Sequence, residues 1–218
     1  MFQIFVDSAA NIPATIAKQY DIHVLSFVNY VNGKELVCYT PGLTPEEERE
    51  KGAEYYNAMR TGCEIKTGLI STADFEEAFQ KTMENNQDVL YFSLSKNISG
   101  NYNSARLAAE DLMEHPINNR KIRLIDSLNA SLGQGLLAIY ASEFRAKGME
   151  LDEVADILET YPARMNGIFT VGDLKYLSKT GRLKSSVATI GNMLKIKPIL
   201  QGSQDGFIVS YKNCRGRK

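Results

Sequence analysis

Histidine is scarce in this sequence, which has two histidines, His23 and His115, among its 218 residues. A hydrolase with a serine or cysteine nucleophile needs a base beside that nucleophile, and the base is most often histidine. His23 lies at the start of a predicted strand, and His115 lies at the end of a predicted helix, directly before Pro116. Neither has a recognisable catalytic context, so we interpret both as structural residues.

Cysteine is also rare, and its spacing excludes two classes of site. Cys38, Cys63 and Cys214 are an odd number of residues, widely separated and without CxxC spacing. This pattern argues against a disulfide framework and against a zinc site. We expect reduced thiols and no bound metal.

The chain has almost no excess charge, with 25 basic residues, 26 acidic residues and a formal net charge of −1. Nothing in this balance favours DNA, RNA or an acidic membrane surface as a partner. A long apolar run, a signal-peptide pattern and the glycine-rich phosphate loops GxxxxGK[ST] and GxGxxG are all lacking. The sequence therefore predicts a soluble cytoplasmic protein without membrane insertion, nucleic-acid partner or cofactor.

The most informative stretch that is present joins a buried strand to a hydroxyl-rich turn and a helix. Val89 to Phe92 is apolar, β-branched and aromatic, as is typical of a strand covered on both faces. Ser93, Ser95, Ser99 and Gly100 follow, and then a predicted helix begins. The N-terminus of a helix has unpaired N–H groups and a positive dipole end, so this turn is a candidate anion site.

Three further strand-to-helix turns repeat this arrangement of a short apolar strand and a polar turn. They carry Asp7 and Ser8, Thr67, and Asp126 and Ser127. In a parallel sheet such turns lie together at the carboxyl edge, where open α/β folds bind ligands. We predict an α/β fold whose first domain, residues 1–160, is a parallel sheet with helices on both faces.

A boundary near residue 160 is predicted because Pro162 stops or redirects the preceding helix. Residues 161–218 then form a smaller second α/β domain. Its predicted elements are a strand at Ile168 to Val171, a helix at Ser185 to Leu194, a strand near Pro198 to Leu200, and a hairpin turn at Asp205-Gly206.

The residues alone leave several functions open. The hydroxyls of Thr67, Ser93, Ser95 and Ser99 suit a carboxylate ligand, but Ser and Asn are also ordinary turn and cap residues. A small serine-dependent esterase or phosphatase using Ser95 or Ser99 is the competing enzyme class. A haloacid-dehalogenase-type phosphatase is set aside, since it needs a second aspartate two residues after Asp7.

Several motifs resemble those of the DegV family along nearly the whole chain. Residues 95–102 resemble its Ser-Ser-x-Leu-Ser-Gly-Thr-Tyr signature, with Lys96 and Asn101 as departures. Residues 7–13 resemble Asp-Ser-Thr-Ala-Asp-Leu-Pro, and residues 126–135 resemble Asp-Ser-x-x-Ala-Ser-x-Gly-x-Gly. Residues 173–183 resemble Asp-Leu-x-Tyr-Leu-x-x-Gly-Gly-Arg-Ile, with Thr180 for the first glycine. Of the Thr-Ser-Gln-Pro motif only Thr67 remains.

This resemblance implies a carrier of a long-chain fatty acid rather than an enzyme, with no catalytic residue of its own. By the match, the carboxylate ligands are Thr67 and Ser95, with Ser99 and Gly100 in the same turn. Arg182 is implied near the head group and in phosphoryl transfer by a partner, a separate fatty acid kinase. The remaining implied residues support the loops, and they are Asp7, Ser8 and Ser127.

The family resemblance also implies a continuation beyond residue 218, because members usually have further helices and strands there. The second domain holds about 55 residues here, fewer than a single core usually needs. We expect its strands near Ile199 and Val209 to lack partners. The chain would then either self-associate or leave the lipid tunnel partly open.

Overall fold

A computed structural model describes residues 1–115, 117–172, 174, 177, 178, 181–183 and 196–215. Ten strands and six helices are numbered below in chain order within these residues. The predicted helix at 185–194 and most of the motif at 173–183 lie outside the described residues.

The centre of the molecule is a four-stranded parallel sheet in the order β2-β1-β6-β7. The predicted parallel sheet is therefore confirmed. Its strands are β1 (Phe2–Asp7), β2 (Ile22–Leu25), β6 (Asp88–Ser93) and β7 (Ile122–Asp126). All six residues of β1 are buried, because helices cover both faces of this sheet.

The described residues contain six α-helices, namely α1 (Ala14–Gln19), α2 (Pro45–Arg60), α3 (Thr72–Glu84), α4 (Asn101–Glu114), α5 (Leu132–Ala146) and α6 (Leu151–Leu158). One face of the sheet packs on α5 and α6 through a cluster that includes Leu137 and Val154. The other face packs on α3 and α4, where Phe79 and Ala108 belong to the second cluster. The predicted cover on both faces is thus present.

The starts of α2 and α3 are fixed by capping boxes. Thr44 accepts a hydrogen bond from the Glu47 N–H, and the Glu47 carboxylate accepts one from the Thr44 N–H. Ser71 and Asp74 exchange the same two bonds at the start of α3. Thr44 followed by Glu47 three residues later is the sequence pattern that predicts a capping box, and the structure confirms it.

A small antiparallel sheet has the order β4-β3-β5, with β3 (Val28–Val31), β4 (Lys34–Val37) and β5 (Ile65–Thr67). The predicted Asn32-Gly33 hairpin joins β3 to β4. Two sequence-based expectations are wrong here. The alternating run from His23 to Val31 predicts a single strand, but the chain leaves the parallel sheet after Leu25 and begins β3 at Val28. The second error is that β5 pairs antiparallel with β3 and is not a strand of the parallel sheet.

The described part of residues 161–218 is an antiparallel sheet of three strands, β10-β9-β8. These strands are β8 (Ile168–Phe169), β9 (Ile196–Gly202) and β10 (Ile208–Arg215). The predicted Asp205-Gly206 turn joins β9 to β10, with a bond from the Gly206 N–H to the Ser203 carbonyl. The expectation that the strand at Ile199 lacks partners is wrong, since β9 pairs on both sides. The division of the chain at residue 160 stays a prediction.

Candidate functional site

Three turns meet at the carboxyl edge of the parallel sheet, after β1, β6 and β7. The buried Asp7 ends β1, and its Oδ2 accepts hydrogen bonds from the Tyr91 hydroxyl at 2.9 Å and the Leu94 N–H at 3.0 Å. Its Oδ1 accepts a bond from the Ala9 N–H at 3.1 Å. Burial raises the pKa of Asp7, and hydrogen bonds from these groups oppose that rise. Asp7 therefore ties the first two turns together.

The turn after β7 is held by side chains bonded to nearby backbone. Asp126 Oδ1 accepts from the N–H of Leu128 at 3.0 Å and from the N–H of Lys96 at 3.3 Å. The Ser127 hydroxyl donates to the Asn129 carbonyl at 3.0 Å and accepts from the Asn129 N–H at 3.1 Å. These bonds fix the loop and join it to the neighbouring Ser95 turn.

Ser95 begins the turn that the sequence singles out, and its side chain is completely buried. Its N–H donates to the Asn129 carbonyl at 3.0 Å, and its carbonyl accepts from the N–H groups of Ile98 at 3.0 Å and Ser99 at 3.1 Å. The Ser95 hydroxyl donates to the carbonyl of Gly206 at 2.9 Å. Since a hydroxyl has one proton, Ser95 must rotate away from Gly206 before it can donate to a ligand.

The β9–β10 hairpin is docked on this turn by two side-chain bonds. Besides Ser95, Asn97 donates through Nδ2 to the Asp205 carbonyl at 2.6 Å. Gly206 has a φ of +77°, and a Cβ there would lie 2.2 Å from Ser95 Oγ and 3.1 Å from Leu128 Cα. Only glycine fits this contact without displacing a neighbour. Sequence analysis finds the hairpin but misses Gly206 as part of the site.

Helix α4 starts at the other end of the turn. The Ser99 hydroxyl accepts a bond from the Asn101 N–H at 3.2 Å, and the N-cap residue Gly100 has no side chain with which to cap the helix. This start is the positive end of a helix of 14 residues. The anion site that the sequence places here stays a prediction.

Thr67 is connected to the start of α4 by the loop that follows it, residues 68–71. Thr67 itself is exposed and pairs with Asn29 across the small sheet. In the following loop, the Ile70 N–H donates to Asn101 Oδ1 at 3.2 Å, and Leu69 lies against Gly100. The structure thus brings the loop after Thr67, rather than a strand end of the parallel sheet, to the first turn of α4. Asn101 is a site residue that sequence analysis omits, although its departure from the family threonine marks it.

Two other predicted residues lie at defined places around these turns. Half-buried Arg182 donates through Nε to the Ile98 carbonyl at 3.3 Å, so it supports the Ser95 turn from outside the parallel sheet. The Ser8 hydroxyl accepts a bond from the Phe27 N–H at 3.0 Å, which orients the chain between β2 and β3.

The contacts of the serines do not resemble those of a hydrolase nucleophile. Ser95 donates to a backbone carbonyl and Ser99 accepts from a backbone N–H, so neither hydroxyl donates to a base in these bonds. His23 lies in the edge strand β2, and burial lowers its pKa. His115 follows the last residue of α4, at the opposite end of that helix from Ser99.

The described residues contain neither a candidate metal site nor a candidate membrane-spanning helix. Within them, no group of three or more His, Cys, Asp or Glu side chains could hold a metal ion. None of the helices in the described part of the chain is long and apolar enough to span a bilayer.

A cavity of about 670 Å³ lies beside the free edge of β2, between α1 and α3. Its lining includes Ala17, His23 and Lys81 and does not include the residues of the Ser95 turn. The cavity is therefore separate from the candidate carboxylate site.

Comparison with known proteins gives matches over the whole chain. A family model described as "Uncharacterised protein, DegV family" matches residues 1–218. The chain belongs to the DegV family. A DegV domain-containing protein of Clostridium perfringens is 33% identical over 219 residues, which is 100% of this chain and 72% of that protein.

Two further relatives of this DegV-family chain are described by what they bind. A protein of Thermotoga maritima named "Fatty acid-binding protein" is 31% identical over 222 residues, covering 99% of this chain and 72% of that protein. A solved structure from Thermus thermophilus is described as fatty acid binding of a DegV family protein. It has a TM-score of 0.82 and 26% identity, and it covers 99% of this chain and 72% of that one. The mixed α/β architecture is thus the family fold.

Proposed function

We propose that this chain binds a long-chain fatty acid and presents its carboxylate to a separate fatty acid kinase. The observation that carries the proposal is the start of α4, where Gly100 leaves the helix without a side-chain cap beside Ser95 and Ser99. Free N–H groups and a positive dipole end favour a carboxylate there. The fatty-acid-binding relatives support the same ligand.

The carboxylate would replace bonds that the turn now makes within the protein. Ser95 would exchange the Gly206 carbonyl for a carboxylate oxygen, and Thr67 would donate from the end of β5. Both new bonds are charge-assisted and therefore stronger than the bond to Gly206, which is between neutral groups. The chain then acts as a carrier, and the kinase supplies the chemistry.

The acyl chain would extend from this turn towards residues 161–218. Ile98 in the turn packs on a cluster of buried side chains from residues 161–218, namely Leu174, Leu183, Leu200 and Ile208. Burial of the acyl chain against this cluster would contribute roughly 0.8 kcal/mol per methylene to binding. In this proposal residues 1–160 hold the carboxylate and residues 161–218 cover the acyl chain.

Titration of delipidated protein with stearic acid tests the carboxylate site. Ser95→Ala and Thr67→Val should each lower the affinity roughly ten- to a hundredfold, since each removes a charge-assisted bond worth about 1.5–3 kcal/mol. The matched control for Ser95 is Ser142→Ala, because Ser142 is also a buried serine that donates to a backbone carbonyl. Thr160→Val is the control for Thr67. Affinities equal to those of the controls contradict the proposed ligands.

Arg182 has a separate expected role, because it is proposed to stabilise the phosphate formed at the head group. Arg182→Ala should bind stearic acid nearly as the wild type does but fail to support acyl-phosphate formation with kinase and ATP. Arg182→Lys retains the positive charge and should restore part of that activity. If binding and phosphorylation fall together, Arg182 is a binding residue instead.

A further inference from the structure

The first turn of α4 contains a buried hydrogen-bond donor that lacks an acceptor. Asn101 is 0% exposed, and its Oδ1 accepts from the Ile70 N–H at 3.2 Å. Because that N–H needs an oxygen acceptor, the bond fixes which end of the amide is nitrogen. Nδ2 then has no hydrogen-bond partner among the residues that the structure describes. Such groups are rare and call for an explanation.

The position of this donor indicates the kind of ligand that would meet it. Asn101 is the first residue of α4, directly after the uncapped Gly100. Its Oδ1 is bonded to the loop that follows Thr67, and Nδ2 is attached to the same carbon as Oδ1. The donor therefore lies between the positive end of α4 and the Thr67 loop. A ligand that satisfies both features has to be a hydrogen-bond acceptor, preferably with negative charge.

Leu69 covers this part of the helix in the structure. It is 55% exposed, yet its Cδ1 would lie 2.8 Å from a Cβ at Gly100. An exposed leucine changes rotamer readily, so its displacement opens a path to the first turn of α4.

We propose that Asn101 Nδ2 donates a hydrogen bond to the carboxylate of the bound ligand and thereby selects an ionised head group. This inference rests on the proposed fatty-acid function and adds a ligand residue that the family signature does not supply, because the signature has threonine at this position. The amide places its donor one bond farther from the backbone than a threonine hydroxyl does, while its oxygen holds the Ile70 loop.

A pair of isosteric variants tests the donor. Asn101→Thr offers a hydroxyl donor, and Asn101→Val has the same shape without one. We expect Asn101→Val to bind stearic acid on the order of ten- to a hundredfold more weakly than Asn101→Thr, and both variants to bind stearyl alcohol within severalfold of each other. Equal affinity of the two variants for stearic acid overturns the inference.

A charge variant tests the same contact independently. Asn101→Asp retains an oxygen for the Ile70 N–H but turns a carboxylate towards the ligand. Asn103→Asp makes the same charge change at an exposed position of the same helix turn and serves as the control. We expect the first variant to lose at least tenfold more affinity for stearic acid at neutral pH than the second, with stearyl alcohol affected alike in both.

The outcomes separate this inference from the proposed function. If the wild type binds stearic acid and Asn101→Asp matches Asn103→Asp, the inference alone is wrong. If the wild type does not bind stearic acid, the proposed function fails and the inference fails with it. Should Asn101→Asp not fold, as circular dichroism would show, the Thr and Val substitutions decide the question.

Discussion

Gly206→Ala is the substitution whose effect the structure defines best. The new Cβ would lie 2.2 Å from Ser95 Oγ, in a residue whose φ is +77°. The left-handed backbone costs an L-residue about 1–2 kcal/mol, and overpacking at a buried contact costs about 1–3 kcal/mol. We therefore expect Gly206→Ala to lower the free energy of unfolding by roughly 2–5 kcal/mol.

Gly148→Ala separates the two parts of this cost. Gly148 has a φ of +83° and no atom within 4 Å of its Cβ position, so alanine there pays the backbone cost without a clash. Urea unfolding of both variants, followed by circular dichroism, gives the difference between them. That difference is the overpacking cost of placing a methyl group between the hairpin and the Ser95 turn.

A double-mutant cycle with Ser95→Ala tests the origin of the clash. Ser95→Ala alone should lower the free energy of unfolding by about 1–3 kcal/mol, because the Gly206 carbonyl loses its hydrogen-bond donor. In the double variant the atom that clashes is gone, so the loss should be smaller than the sum of the two single losses. Strictly additive losses, or equal losses in Gly206→Ala and Gly148→Ala, would refute the packing argument.

Two further predictions concern buried or partly buried charge. The raised pKa of Asp7 means that the folded state holds its proton more tightly than the unfolded state does. The stability that Asp7 contributes is therefore fully present below its ordinary pKa of 3.8 and is lost as the pH rises through the raised pKa. Urea unfolding of the wild type and Asp7→Asn at a series of pH values measures this effect. The free energy of unfolding of the wild type, relative to that of the variant, should fall as the pH rises. A difference that does not change with pH would contradict the raised pKa. The Arg123 guanidinium joins β7 to three carboxylates of the α6 region, Asp152, Asp156 and Glu159, and its side chain is 26% exposed. Arg123→Met should therefore lower the free energy of unfolding by about 1–2 kcal/mol in low salt and by less in high salt. A loss of stability that does not depend on salt would indicate lost packing instead.

Sequence patterns predicted the parallel sheet because its strands are short, continuous apolar runs that need cover on both faces. They did not predict where β5 pairs, since Ile65–Thr67 has three residues and too little alternation to choose a sheet. The break after Leu25 was missed for a related reason, because β2 and β3 are both short and apolar. Alternation alone does not show that the chain changes sheets at Ser26.

The candidate site was only partly predictable, since local sequence reveals turns but not what docks on them. The hydroxyls of Ser95 and Ser99 follow from the strand-to-helix pattern. The hydrogen bond from Ser95 to Gly206 joins residues 111 positions apart, and neither local sequence predicts that the two segments are in contact. Asn101 is an intermediate case, because its departure from the family threonine is visible in the sequence but its free donor is not.

The central position of β1 has a consequence for how the chain is made. Its neighbour β6 brings Tyr91 to Asp7 across 84 residues. At a synthesis rate of about 5–20 residues per second, β6 leaves the catalytic centre of the ribosome roughly 4 to 17 seconds after β1. During that interval one edge of β1, a strand that is entirely buried in the folded protein, has no native partner and is exposed to other nascent chains. Slower translation of residues 8–87 would lengthen this period, so we expect the yield of soluble protein to depend on codon choice in that segment.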